Sequence, residues 1–149
     1  MADKVFSEFE ATLQKSNQML SELEDELGWQ DRHRQSYAAM REVLHALRDR
    51  LPFREALQLS AQLPMLMAGV FVDGWKPKDK PVKMTAEEMY QRIAQHFPYS
   101  VEGGVPMMVH AVWQVLKRHV SPGELEDIEA NLPKEFVFSL EGKNRLPVM

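Results

Sequence analysis

Cysteine is absent from this 149-residue chain, which excludes a disulfide framework and any thiolate metal site. Long apolar runs are missing as well. The longest, residues 63–72, is interrupted by Pro64 and Gly69 and falls far short of the ~20 residues a membrane-spanning helix requires. Residues 1–10 carry Asp3, Glu8 and Glu10 and lack the apolar centre of a secretory signal, so we expect a cytoplasmic protein with no membrane span. No excess of positive charge is present: the formal net charge of -4 argues against a dedicated nucleic-acid binder, which carries a basic footprint. The glycines form no phosphate-cradling loop, and no serine sits in a nucleophile elbow. What remains is 44% hydrophobic and 27% charged, a globular balance. A chain of this length buries roughly 68–70% of its unfolded surface, enough for one core.

The apolar rhythm is helical from the start. Phe6, Phe9, Leu13, Leu20, Leu23 and Leu27 follow three-four spacing with Ser16 in the one polar gap, while Glu22, Glu24, Asp25 and Glu26 point elsewhere. Gly28 can end that helix in the left-handed conformation. Asp31 predicts the N-cap of a second helix with the stripe Tyr37, Met40, Leu44, Leu47, Leu51. Pro52 interrupts it, and Phe53, Ala56, Leu59 and Leu63 mark a shorter third helix closed by Pro64. The wholly apolar run 65–72 reads as a short buried helix that Pro64 would start. Asp73-Gly74 is a turn, and Lys76, Lys78, Lys80 and Lys83 with Pro77 and Pro81 describe a linker. Thr85 and Glu88 have capping-box spacing ahead of a fourth helix burying Met89, Tyr90, Ile93 and Phe97. Pro106 opens a fifth, striped by Val109, Trp113, Leu116 and Val120. Ser121 and Glu124 form a second capping box for a sixth, which carries Leu125, Ile128 and Leu132 and stops at Pro133.

The pattern repeats. Leu63-Pro64 recurs as Leu132-Pro133, and the same offset of 69 carries Met40, Leu44, Leu47 and Leu51 onto Val109, Trp113, Leu116 and Val120. It also carries Glu55 onto Glu124 and Leu59 onto Ile128; one position more brings Met19, Leu23 and Leu27 onto Met89, Ile93 and Phe97. Any two amphipathic helices share a rhythm, but not the helix lengths, the break and the terminal Leu-Pro together. The expected fold is therefore all-α: two pseudo-equivalent three-helix units packed into one helical-bundle domain. Residues 1–75 form the first unit with its apolar connecting segment, 76–84 a Lys/Pro linker, 85–140 the second unit and 141–149 a mobile tail.

The stretch from Ala38 to Pro77, with Arg48-Asp49-Arg50-Leu51-Pro52, Ala61-Gln62-Leu63-Pro64 and Asp73-Gly74-Trp75, resembles the bacterial family known as domain of unknown function 2267; Gly123-Glu124 and Leu132-Pro133 fit the same pattern. The likeness runs from about Phe9 to Leu140. Ala68 stands where that family leads one to expect a basic side chain, and Val72 where it leads one to expect an aromatic ring. The resemblance implies helices and a bacterial cytoplasm. It implies no activity, so it brings no catalytic residues.

Constellations that could carry chemistry are few. Glu42 and His45 have the spacing of a di-metal half-site, which requires a second copy, and the offset puts Ala111 and Gln114 there instead. His110 and His119, nine positions apart, fall on opposite helix faces. We accordingly assign no metal, cofactor or catalytic residue. Arg34, Arg41 and Arg48 recur every seventh residue, and the repeat turns the last two into His110 and Lys117. They admit two readings: an anion or acidic-partner groove between the units, or ion pairs with Glu22, Glu24, Asp25 or Glu26, each exposed pair worth about 0–1 kcal/mol. Residues 65–75 likewise form either a spine joining the units or an open groove in which Met67, Val70, Phe71 and Trp75 take a partner helix or apolar ligand. The function expected is non-catalytic binding or scaffolding at this apolar segment, with a protein partner or a second copy. The alternatives are a small-molecule or anion sensor, or an enzyme, with a pocket lined by Arg41, Arg48, His110 and Lys117, and a weak nucleic-acid binder.

Overall fold

The first helix, α1 (Ser7–Leu27), ends where its composition says it should: Gly28 adopts φ 71° and its N–H donates to the Glu24 carbonyl. A computed structural model describes residues 6–77 and 80–143; Asp3, Lys78 and residues 144–149 of the expected tail lie outside them. Only the second half of the α1 stripe reaches the core. Ser16, Met19, Leu23 and Leu27 are buried, whereas Phe6, Phe9 and Leu13 are exposed by 68%, 61% and 47%, because the first turns of α1 have little of the chain packed on them.

The second helix, α2 (His33–Arg50), does not start on Asp31. Asp31 sits at φ 63°, in the left-handed region, whereas an N-cap needs extended backbone; Arg32 holds the cap position without a side-chain bond. Tyr37, placed on the stripe by periodicity, is half-exposed, while Ala38, Ala39, Val43 and Ala46 are buried beside Met40, Leu44 and Leu47. The reason is tertiary: α2 is surrounded, and its alanines admit helices from several sides.

Two prolines start the next two helices. Pro52 precedes α3 (Phe53–Gln62) and Pro64 precedes α4 (Met65–Val72). In α4 only Met67 and Phe71, one turn apart, are buried; Met65 and Leu66 face solvent. The following segment is tied down at several points. The Val82 N–H donates to the Asp49 carbonyl, Arg50 Nε donates to the Met84 carbonyl, and Trp75 stacks on Phe53 at 5.3 Å. A helix α5 (Ala86–His96) then opens on a complete capping box: the Glu88 N–H donates to Thr85 Oγ1, and the Thr85 N–H to the Glu88 carboxylate. Next comes α6 (Val105–His119), with Pro106 in its first turn and Val109, Trp113 and Leu116 buried. Burying each such side chain contributes about 1.5–3 kcal/mol.

The last two helices correct the expected count. After α7 (Pro122–Glu129), Pro133 does not end the fold but precedes α8 (Lys134–Leu140), with Phe136 and Leu140 buried. Seven residues with two core contacts are too short for periodicity to register. The halves thus hold four helices each, not three, and no strand occurs among the described residues. Glu141–Lys143, placed by sequence in the tail, close α8: the Lys143 N–H donates to the Phe138 carbonyl at 2.7 Å. Gly142 at φ 75° lies under the His110 ring, where a Cβ would come within 2.9 Å of Cε1.

The layout is centred on α2 and α6, which pack against each other. α1 packs on both, as does α5; α4 packs on α1 and α2, and α8 on α5 and α6; α3 meets α7. Phe53 and Pro122 open α3 and α7 69 positions apart, and Met65 and Lys134 open α4 and α8 at the same interval.

Candidate functional site

The segment expected to form a groove is largely internal. Met67 and Phe71 are 2% and 0% exposed, so neither side chain offers a surface. Val70 is partly buried and its carbonyl takes a hydrogen bond from His45 Nε2 at 2.8 Å, which puts the His45 proton on Nε2. Burial pushes the imidazole down to about 4, with the nearby Arg48 and Arg41 charges acting in the same direction. Trp75, half-buried, closes over Phe53.

The basic rib serves the same segment. Arg48, 5% exposed, donates through Nη1 to the Phe71 carbonyl (3.0 Å) and the Asp73 carbonyl (3.1 Å) and through Nε to Asp49 (2.8 Å). It thus satisfies carbonyls at the C-terminal end of α4, where the helix dipole favours a cation. Arg92 also pairs with Asp49; burial raises the Asp49 carboxyl, but the two guanidiniums outweigh it and hold the group below its ordinary value. Arg41 pairs with Asp73 at 2.8 Å and with Glu42. In the second half, His110 Nδ1 meets the Leu140 carbonyl at 2.9 Å, at the end of α8, and Lys117 is exposed, reaching Gln114 Oε1 at 3.5 Å. Arg41 and Arg48 therefore serve α4 and His110 serves α8; no single pocket gathers the four residues.

Nor do α1 acids pair with the α2 arginines. Arg118 of α6 takes Glu26 at 2.6 Å and His119 takes Glu22 at 2.8 Å. Burial works to raise Glu22, yet hydrogen bonds from His119 and Gln18 and the nearby Arg118 charge bring it below its ordinary value. Glu24 instead accepts from His33 and Ser36, and this hydrogen bond raises the His33 pKa. Lys76, Lys80 and Lys83 are exposed. Lys76 and Lys80 share with Arg48, Asp49, Phe53 and Trp75 the wall of a cavity of ≈ 20 Å³, room for about one water.

Two open features stand out among the described residues. One is an apolar ridge. Phe6 and Phe9 meet edge-to-face at 5.9 Å, Leu13 follows one turn on, and the Leu66 N–H of α4 donates to Thr12 Oγ1 at 2.7 Å. That bond satisfies a donor at the start of α4 and brings exposed Met65 and Leu66 to the α1 ridge. Periodicity set Phe6, Phe9 and Leu13 on the same face as Leu23 and Leu27; nothing local marks where a helix outruns its neighbours. The other is a cleft of ≈ 480 Å³ lined by His33, Arg34, Tyr37, Arg41, Glu42, His96, Pro98 and Tyr99. Burial raises the Glu42 carboxyl, against the pull of His96 and Arg41. Of the basic residues expected to form an anion groove, Arg34 and Arg41 line it, while Arg48, His110 and Lys117 do not. The aromatic and histidine walls come from opposite halves of the chain, a juxtaposition no local pattern encodes.

Among the described residues, eight helices centred on the α2–α6 pair, with polar side chains spent largely on helix ends and ion pairs, define an all-helical fold. More narrowly, the chain belongs to the family described as an uncharacterized conserved protein (DUF2267), whose model matches residues 16–137. No curated protein matches it.

Proposed function

We propose that this chain is a non-catalytic assembly protein that binds through the ridge of Phe6, Phe9, Leu13, Met65 and Leu66. The observation that carries this reading is the solvent exposure of three large apolar residues on one face of an α1 end with little cover. A short helical segment is marginal in water unless its apolar face is packed, and clustered exposed apolar side chains mark interaction sites. The occupant is a second copy. Antiparallel pairing of two such helices lays Phe9 beside Leu13 of the second copy and covers both ridges at once. Sedimentation equilibrium is the test: the wild type forms a dimer, and Phe9→Ser with Leu13→Gln is a monomer with unchanged helical circular dichroism. A wild type that stays monomeric at ~100 µM removes the reading.

A second reading rests on the cleft. His33, Arg34 and Arg41 beside Tyr37 and Tyr99 suit a small planar anion, such as an aromatic carboxylate. Saturable thermal stabilisation by such compounds, lost in Arg41→Met, supports it; stabilisation that survives this change disposes of it.

Both readings use a frame we infer to be an internal duplication. Exchanging α1 with α5, α2 with α6 and α4 with α8 turns each of the pairs α1–α2, α1–α6, α1–α4 and α2–α4 into another packed pair. A crystal structure in which residues 33–72 and 105–140 fail to superpose would end that inference. The family resemblance supports a bacterial cytoplasm as the setting, which cell fractionation checks.

A further inference from the structure

The start of α7 departs from its own sequence pattern. Ser121 and Glu124 have capping-box spacing, and the Glu124 N–H does donate to Ser121 Oγ. The return bond is missing, because the Ser121 N–H is held by Gln62 Oε1 of α3 at 2.8 Å. In α5 the equivalent glutamate, Glu88, is spent on its cap; here Glu124 is released. Its side chain turns toward α3 and meets Glu55, which has the same third position in its helix. Oxygens of Glu55, Glu124 and Asp127 all lie within 4.8 Å of one another.

This is more than a group of surface acids. Glu124 is only 6% exposed, and its Oε2 and Glu55 Oε1 are buried with no hydrogen-bond partner. Two neighbouring carboxylates that each hold a solvent-shielded oxygen without a donor are costly. Burial raises the Glu124 carboxyl, and the Glu55 and Asp127 charges add to that. A buried acidic pair is relieved by a proton or by a cation, and the third carboxylate distinguishes the two: Asp127 is exposed and adds charge that a single proton would not offset. Oxygen donors alone, with one side open to water, match a hard divalent ion, whose remaining ligands are waters.

We propose that Glu55, Glu124 and Asp127 form a binding site for a hard divalent cation, calcium or magnesium, clamping α3 to α7. This site is independent of the ridge and of the cleft. The test is isothermal titration of chelator-treated full-length protein with calcium chloride and with magnesium chloride, paired with thermal unfolding. The expected result is one saturable site for at least one of the two ions and a rise in Tm, with affinity reduced at least tenfold in both Glu124→Gln and Glu55→Gln. Glutamine keeps the shape and removes the unpaired charge, so both variants should fold, and their ion-free Tm should match or exceed that of the wild type. No saturable heat and no Tm change with millimolar ion overturns the proposal, leaving a shared proton between Glu55 and Glu124. Binding that persists undiminished in both variants overturns it too, by placing the ion elsewhere.

Discussion

Acidification bears directly on His45. In the fold the residue is 7% exposed and its imidazole is pushed down to about 4 from an ordinary 6.5, because burial and the neighbouring Arg48 and Arg41 charges oppose protonation. The unfolded chain therefore binds more protons than the native one between those two values. Stability from this group is complete above 6.5 and drains away as the pH falls through 6.5 toward 4. Integrating between about pH 7 and about pH 4.5 gives a loss of about 2 kcal/mol. For a domain of this size that is about 5–8 °C in Tm. Other carboxylates titrate in the same range, so the comparison is with His45→Gln. Glutamine can still donate to the Val70 carbonyl but does not titrate, and a glutamine, Gln114, stands 69 positions on. Differential scanning calorimetry across that range should show the variant losing about 5–8 °C less than the wild type. Parallel curves would refute the assignment of a buried neutral imidazole.

Two further outcomes follow from the same accounting of helix ends. Arg48→Met strips the Phe71 and Asp73 carbonyls of their donor and leaves Asp49 with Arg92; breaking a buried pair from one side costs about 3 kcal/mol, read as a lower urea midpoint at unchanged slope. Thr85→Ala removes one half of the α5 capping box and should cost about 1 kcal/mol, seen in the same assay.

The helical class was readable from residue order because helix ends and apolar stripes are local. Gly28, Thr85 and Pro106 act within a turn of where they stand, and Leu44, Leu47, Trp113 and Leu116 repeat at the helical period and are buried accordingly. The offset of 69 was visible for the same reason. The candidate sites were not, since each depends on what packs where. Periodicity marks Phe9 and Leu23 as the same kind of residue, and only the extent of neighbouring helices leaves one in water and the other in the core. Arg48 reads as half of an anion groove until α4 ends beside it. Ser121 and Glu124 spell a capping box until Gln62 takes one of its donors. Local chemistry sets what each segment can form; the choice among partners for a buried charge or an apolar face is made by distant segments, through the free-energy cost of leaving either unmatched.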